Sequence, residues 1–330
     1  MKKVLVSRML PEMAFQILGQ TANVEADFRY MPDNKAELLK ELRDTNGLLV
    51  LPQSVIDSEI LNAAKKLEVI SLIGVGYENI NLEEASRKKI PVAYTPVSAK
   101  CVAEHTFALI LAVSRGIVLA DGYVRSGEWK ELVPMVEPGT DLSGKTLGIV
   151  GLGRIGSEVA KRAKCFEMNV VYYDVERNKD KEKELNAKFV SLDELLSSSD
   201  FVTLHTLLTS QNKHMIGEEE FKKMKPSAYI INASRGQIID QNALYEALIQ
   251  GKIKGAALDV YEKEPVPADD PLLKLKNVVF TPHIAANTVE IRISMFLAAV
   301  QNLGQALSGE NPKYLVNPEV LPSKKSSKPK

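Results

Sequence analysis

The sequence predicts an α/β fold of two lobes, each built around a parallel sheet. At 330 residues the chain exceeds the size at which a single hydrophobic core keeps growing. Short runs rich in Val, Ile and Leu alternate along it with amphipathic stretches of helical period, as in a parallel sheet covered by helices. The composition, 45% hydrophobic and 25% charged, is globular and supplies enough apolar residues for two cores.

The β-rich runs fall into two series. The first predicts strands at 4–6, 48–51, 69–73 and 92–94, with helices at 33–44 and 57–66 between them. The second predicts strands at 146–150, 170–173, 201–204, 229–232, 256–258 and 278–281. One long helix is predicted from 99 to about 122, and a last helix from about 287 to 308.

Charge and composition exclude several classes of function. Forty-two basic residues balance forty-two acidic ones, so no global field attracts nucleic acid or an anionic membrane. No apolar stretch approaches membrane-spanning length and the start is unlike a signal peptide, so we expect a cytoplasmic protein. Neither the two cysteines nor the four histidines show metal-ligand spacing, which predicts no metal site. Residues 321–330 are polar and basic, and we predict a flexible tail there.

A glycine-rich turn at 151–156 predicts a dinucleotide site. It follows the strand 147–150 directly and opens an amphipathic helix, the context that this motif requires. Gly151 permits the tight turn, Gly153 lets the backbone approach a pyrophosphate, and Gly156 lets helix and strand pack closely. The N–H groups that begin the helix, at Arg154 and Ile155, then face the phosphates.

An acid after the next strand selects the cofactor. Asp174 follows the strand 169–173, where a carboxylate accepts hydrogen bonds from the adenosine ribose and repels a 2′-phosphate. NAD is therefore favoured over NADP. Arg177 lies close by and either faces solvent or pairs with a phosphate, which would soften that preference.

Three residues of the second series form a candidate catalytic set. Arg235, Glu264 and His283 each follow a predicted strand, where doubly wound sheets place their ligands. An arginine binds a carboxylate through its planar fork, and a histidine exchanges protons near neutrality. A carboxylate bonded to the histidine orients it and stabilises its protonated form. The set suits hydride transfer between a nicotinamide and a 2-hydroxy acid.

Six motifs make the sequence resemble the D-isomer-specific 2-hydroxyacid dehydrogenase family, from about residue 50 to 311. They are GVGYENI at 74–80, VAEH at 102–105, LSGKTLGIVGLGRIG at 142–156, NASRG at 232–236, LDVYEKEP at 258–265 and TPHI at 281–284. The resemblance implies that Arg235 anchors the substrate, that His283 is the acid/base group and that Glu264 supports it.

The resemblance implies further residue roles. Asp259 is expected to hold the nicotinamide carboxamide, and backbone N–H groups at Val75 and Gly76 are expected to bind the substrate carboxylate. Residues beside the cofactor are expected to include His205, Ala233 and Ser234.

The resemblance also implies a domain arrangement. A nucleotide-binding domain at 99–286 is inserted into a flavodoxin-like substrate domain formed by 1–98 and 287–320, with closure around a hinge. The long helix after residue 99 and the arm through Trp129 are expected to form a homodimer. Small substrates of the glyoxylate, hydroxypyruvate or 3-phosphoglycerate type are expected.

Two alternatives remain open at this point. A formate dehydrogenase shares the fold but pairs its histidine with an amide, so an acid at position 264 disfavours it. A nicotinamide-sensing corepressor resembling the C-terminal binding proteins keeps the same fold and the same triad. Turnover of a 2-oxo acid distinguishes an enzyme from such a sensor.

Overall fold

A computed structural model of the chain describes residues 1–7, 22–130 and 138–321. The chain divides into two compact units. One runs from Met1 to Ser98 and resumes at Thr288, and the other spans Ala99–Asn287. Each unit contains one sheet, and every strand pairing in it is parallel. The predicted fold class is therefore confirmed.

The first unit has a sheet of flavodoxin-like order, β2-β1-β3-β4-β5. Its strands are β1 (Lys2–Val6), β2 (Ala26–Tyr30), β3 (Gly47–Val50), β4 (Val69–Leu72) and β5 (Val92–Ala93). Its α-helices are Lys35–Glu41, Ser58–Ala63, Leu82–Arg87 and Val289–Leu307, and its short 3₁₀ helices are Leu42–Asp44 and Pro318–Val320.

Side chains of this sheet alternate between two apolar layers. On one face, Val4 and Leu49 pack with Val300 and Leu303 of the helix Val289–Leu307. On the other face, strand residues such as Leu5 pack with the shorter helices. Covering both faces explains why the strands are continuous apolar runs. The last predicted helix thus lies on the first sheet, where the Ser71 hydroxyl donates to the Ala299 carbonyl at 2.7 Å.

The second unit has a doubly wound sheet of order β12-β11-β10-β9-β6-β7-β8. Its strands are β6 (Thr146–Val150), β7 (Asn169–Tyr173), β8 (Ala187–Phe189), β9 (Phe201–Leu204), β10 (Tyr229–Asn232), β11 (Gly255–Leu258) and β12 (Val278–Phe280). Its α-helices are Ala99–Ser114, Ile117–Arg125, Arg154–Cys165, Lys179–Leu185, Leu192–Ser198, Glu218–Lys223 and Gln241–Ile249, and its 3₁₀ helices are Gly236–Ile238 and Pro271–Lys274.

The order of the second sheet reverses between β6 and β9. Strands β7 and β8 extend from one side of β6, and β9 to β12 extend from the other. In doubly wound sheets the ligand binds outside the carboxyl ends of the strands at this switch point. The glycine-rich turn directly follows β6, so the fold places it at the expected position.

The long helix predicted from 99 to about 122 is wrong as a single helix. The helix Ala99–Ser114 ends before Gly116, which adopts φ = 61°, and the helix Ile117–Arg125 then leaves at a bend of 62°. A glycine in the left-handed conformation commonly ends a helix, because it lacks the Cβ that would clash there. Among the described residues, no single helix has both the length and the apolar character to cross a membrane.

Two strands escaped the sequence prediction because they lie at sheet edges. Among the described strands, β2 pairs only with β1, and β8 only with β7. Charged residues interrupt both strands, at Asp27, Arg29 and Lys188, and most of their residues are partly exposed, so they lack the continuous apolar run that marks a central strand. The predicted tail at 321–330 lies outside the described residues, except for Leu321.

Candidate active site

Two glycines of the turn have no room for a side chain. Gly151 adopts φ = 95°, and a Cβ there would lie 2.7 Å from the His205 carbonyl oxygen. A Cβ on Gly156 would overlap the Gly151 carbonyl, because the helix packs directly against the turn. The steric roles predicted for Gly151 and Gly156 therefore match the geometry.

The third glycine leaves the start of the helix open. Among the described residues, no atom lies within 4 Å of a Cβ placed on Gly153, and no side chain caps the helix Arg154–Cys165 that begins there. Helix N-termini carry unsatisfied N–H groups and a partial positive charge, which favour an anion. The turn, with Arg154 and Ile155 in the first helical positions, fits the pyrophosphate of a dinucleotide.

Asp174 ties the end of β7 to the glycine turn. Its Oδ2 accepts a hydrogen bond from the Leu152 N–H and its Oδ1 from the Val175 N–H, both at 2.8 Å. A carboxylate has about four acceptor positions, so it retains capacity for ribose hydroxyls. Asp174 thus lies beside the turn, as a ribose ligand requires.

Arg177 is engaged by a neighbouring acid. Its Nε and one terminal nitrogen donate to the two oxygens of Glu182 at 2.8 and 2.9 Å, and the Tyr172 hydroxyl also donates to Glu182 at 2.9 Å. The hydrogen bond from Arg177 lowers the pKa of Glu182 to about 2 against the opposing effect of burial. In this arrangement the guanidinium pairs with a carboxylate, which agrees with a preference for NAD.

His205 is a neutral histidine beside the turn. Its Nε2 lies 2.9 Å from the Thr203 hydroxyl, while its Nδ1 is buried without a partner among the described residues. Burial lowers the pKa of the imidazole to about 3. The loop after β10 is bonded to the segment that follows His205, because the Ser234 hydroxyl donates to the Thr206 carbonyl at 2.5 Å. Ala233, just before Ser234, is buried.

Arg235 lies on the loop after β10, and the last residue of that strand fixes the conformation of the loop. The buried Asn232 at the end of β10 donates to the Arg235 carbonyl at 2.9 Å and accepts from the Ser234 N–H at 3.0 Å. A Cβ on Gly236 would overlap the Tyr261 backbone, so only glycine lets this loop lie against the segment after β11. That close approach brings Arg235 near the segment that carries Glu264.

His283 and Glu264 form a hydrogen-bonded pair. His283 Nδ1 lies 2.6 Å from Glu264 Oε2, and Oε1 of Glu264 accepts from the Tyr261 N–H at 3.1 Å. The bond to Glu264 raises the pKa of His283 above its ordinary value, although burial opposes it. Burial would raise the pKa of Glu264, but the bond from His283, with a smaller effect of the Arg235 charge, lowers it. Glu264 is therefore ionised near neutrality, and Nδ1–H of His283 donates to it.

Asp259 is a fully buried carboxylate directly after β11. Its Oδ1 accepts from the Ile284 N–H at 2.8 Å and its Oδ2 from the Ala285 N–H at 2.9 Å. Burial raises the pKa of this carboxyl, but hydrogen bonds from His105 and Thr281 and from these two N–H groups outweigh burial and lower it. The side chain is thus an anion that binds the backbone of the two residues that follow His283.

The structure brings Arg235, Asp259, Glu264 and His283 together in the second unit. They follow β10, β11 and β12, which are adjacent and parallel with Leu258 opposite both Asn232 and Phe280. Sequence reasoning missed the contacts of Asp259 with His105 and Thr281, because no motif spacing links side chains so far apart in the sequence. Across the described ranges, no group of three His, Cys, Asp or Glu side chains could hold a metal ion.

Val75 and Gly76 lie in the first unit, just after β4. Thr95 fixes the start of this loop, since its hydroxyl accepts from the Gly74 N–H at 2.8 Å and its N–H donates to the Gly74 carbonyl at 2.8 Å. Within the part of the chain that the structure describes, no group accepts a hydrogen bond from the N–H of Val75 or Gly76. Two adjacent N–H groups of this kind suit a carboxylate.

Comparisons with known proteins point to one family. The model of the D-isomer specific 2-hydroxyacid dehydrogenase NAD binding domain matches residues 107–285. The chain is 45% identical over 321 residues to the glyoxylate reductase of Korarchaeum cryptofilum, with 97% of each chain covered. It is 46% identical over 323 residues to that of Thermofilum pendens, covering 97% of this chain and 95% of the relative.

A solved structure extends the likeness to the fold of nearly the whole chain. The D-lactate dehydrogenase of Aquifex aeolicus, complexed with NAD and lactic acid, superposes with a TM-score of 0.84 at 30% identity. The match covers 98% of this chain and all of that one. The chain therefore belongs to the D-isomer-specific 2-hydroxyacid dehydrogenase family and is an NAD-dependent dehydrogenase.

Proposed function

We propose that this enzyme reduces a small 2-oxo acid of the glyoxylate type to the 2-hydroxy acid, with Arg235, Glu264 and His283 as its active-site residues. The observation that supports this most directly is the 2.6 Å contact between His283 and Glu264 at the carboxyl end of the sheet. It raises the pKa of an imidazole that also lies within electrostatic reach of Arg235. The names of the relatives, glyoxylate reductases at 42–46% identity, support the substrate class.

Proton transfer falls to His283. Because Nδ1–H donates to Glu264, the other ring nitrogen, Nε2, is the atom that gives a proton to the carbonyl oxygen. NADH, when bound, supplies the hydride to the carbonyl carbon. Glu264 stabilises the protonated imidazole before the reaction and fixes its orientation. In the oxidative direction the neutral imidazole takes the proton back.

Substrate binding falls to Arg235 and the loop of the first unit. A guanidinium presents a planar fork that matches a carboxylate and polarises an adjacent carbonyl. We assign the N–H groups of Val75 and Gly76 to the substrate carboxylate, which is supported by their lack of a described acceptor.

The cofactor residues follow from the turn and its neighbours. We assign the pyrophosphate to Gly151, Gly153, Arg154, Ile155 and Gly156. We assign the adenosine ribose to Asp174. The nicotinamide side is assigned to His205, Ala233, Ser234 and Asp259. The open helix start and the orphaned Nδ1 of His205 support these roles.

The structure gives no support to formate oxidation. A formate dehydrogenase would pair the histidine with an amide, whereas His283 is bonded to the ionised Glu264. An acid at this position raises the pKa of the histidine, which proton transfer to a 2-oxo acid requires.

We also infer a homodimer formed through the helix Ile117–Arg125 and Trp129. None of the residues in this helix is buried, although several are large and apolar. The side chains of Ile117, Val118, Leu119 and Val124 are all at least 50% exposed, and that of Trp129 is 53% exposed. Five large apolar side chains exposed along one short segment call for a cover in water. A second copy of the same surface is self-complementary around a twofold axis.

Replacing His283 or Arg235 tests the roles proposed for them in catalysis and substrate binding. We expect His283→Ala to lose about 10²- to 10⁴-fold in turnover, the usual contribution of general acid–base catalysis. Arg235→Lys keeps the charge but loses the bidentate fork, so its KM for glyoxylate should rise. Both variants should bind NADH normally in a fluorescence titration. Arg43→Ala, an exposed arginine of the first unit, is the matched control. Normal turnover by His283→Ala would contradict the assignment.

The pH dependence of reduction tests the role of Glu264. Reduction needs protonated His283, so kcat/KM should fall as the pH rises through its pKa. Because Glu264 raises that pKa, Glu264→Gln should move the alkaline limb to lower pH. Glu262→Gln, two residues away and bonded instead to His214, should leave the limb in place. An unmoved limb in Glu264→Gln would exclude the proposed pairing.

Sedimentation equilibrium tests the dimer. The wild-type protein should sediment at twice its chain mass of 36.4 kDa. Leu119→Asp should give monomers, because a buried charge without a partner is costly at an interface. Val55→Asp, which changes an equally exposed apolar residue of the first unit, should remain dimeric. A monomeric wild-type protein would refute the inference.

A further inference from the structure

The loop that carries His283 is held by a network that begins in another helix. His105, on the helix Ala99–Ser114, places Nε2 3.1 Å from the Thr281 hydroxyl and 3.5 Å from Asp259 Oδ1. The Thr281 hydroxyl donates to Asp259 Oδ1 at 2.6 Å. The same Oδ1 also accepts from the Ile284 N–H at 2.8 Å, and Oδ2 accepts from the Ala285 N–H at 2.9 Å. Asp259 is therefore held from the helix and in turn holds the loop.

His283 has a backbone conformation that needs such support. Its φ of 53° is left-handed, a conformation that is unfavourable for any residue with a side chain. Its N–H donates to the Asp259 carbonyl at 2.8 Å, so Asp259 binds the loop through its main chain as well. The Tyr261 hydroxyl adds a bond to the Thr281 carbonyl at 3.0 Å. The loop is fixed on both sides of the imidazole.

The helix Ala99–Ser114 provides a second attachment. Cys101, one turn before His105, donates its thiol to the Ala285 carbonyl at 3.3 Å. Asp259 therefore takes the Ala285 N–H while the helix takes its carbonyl. Both His105 and Cys101 lie on one side of this helix, because residues four apart share a face.

We propose that His105 and Thr281 are positioning residues for the acid/base histidine, acting through the buried Asp259. They keep the Asp259 carboxylate in the place where it binds the loop backbone. With the loop fixed, the His283 imidazole meets Glu264 at hydrogen-bonding distance. This inference rests on the proposed function of His283, and it is compatible with a contact between Asp259 and the cofactor.

Charge contributes to the same effect. The groups that act on the His283 imidazole are Glu264 and Asp259, which favour its protonated form, and Arg235, which disfavours it. A carboxylate that is both buried and fixed acts through little water, so its field is strong. If Asp259 were less firmly held, it should therefore stabilise the protonated imidazole of His283 less, and the imidazole should also be less well positioned.

Paired substitutions of Thr281 provide the first test. Thr281→Val keeps the shape but removes the hydroxyl, and we expect kcat for glyoxylate reduction to fall at least tenfold, since small misplacements of catalytic groups have such effects. The alkaline limb of the pH profile should move to lower pH. Thr281→Ser keeps a hydroxyl at this position, so its kcat and its alkaline limb should lie close to those of the wild-type enzyme. Thr140→Val, which removes a threonine hydroxyl bonded to Tyr229 instead, is the matched control and should behave as the wild-type enzyme.

Paired substitutions of His105 provide the second test. His105→Leu should lower kcat and shift the limb in the same direction, while His105→Gln, whose amide can donate from a similar position, should recover most of the loss. NADH affinity, measured by fluorescence titration, should stay within about threefold of wild type, a small change in binding free energy. Thermal melting checks that each variant is folded.

Each outcome decides the proposal. Wild-type kcat and an unmoved limb in both Thr281→Val and His105→Leu would overturn it. Equal losses of kcat, NADH binding and melting temperature that Ser and Gln do not restore would also overturn it, because they indicate only a damaged domain. If His283→Ala itself retains activity, the proposed function fails. If His283→Ala is inactive while the Thr281 and His105 variants are normal, only the present inference fails.

Discussion

The proposed active site depends on one buried ion, the Asp259 carboxylate. A charge excluded from water is costly unless hydrogen bonds replace its hydration, and Asp259 receives bonds from Thr281 and from the N–H groups of Ile284 and Ala285. Because the ion needs these donors, the loop after β12 has to lie over it. The position of His283, in its left-handed conformation, follows from that requirement.

The parallel sheet supplies the rest of the arrangement. Neighbouring strands end at the same edge, so loops from distant parts of the sequence converge there without a specific contact to guide them. Gly236 then lets the Arg235 loop lie on the segment after β11, and Gly151 does the same for the turn beside His205. The side chains proposed for catalysis are thus carried by loops that are packed against the sheet. Little conformational entropy should therefore be lost when a substrate binds.

The sequence alone predicted what periodicity and local motifs determine. The central strands, the glycine turn and the strand-end positions of Arg235 and His283 were identified because apolar runs and turn residues are local signals. The edge strands β2 and β8 were missed because partly exposed strands lose the apolar run. The bend at Gly116 was missed because a helical apolar pattern continues across it. The contact of His105 with Asp259 depends on tertiary packing alone.

The protonation behaviour of His283 tests the central claim most directly. Nitrogen-15 NMR of the histidine-labelled enzyme, with His283→Gln to assign its signals, reports both the pKa and the tautomer. We expect a pKa above the ordinary value of 6.5 and a proton on Nδ1 in the neutral form, since Glu264 accepts from that atom. A pKa at or below 6.5, or a neutral form protonated on Nε2, would contradict it.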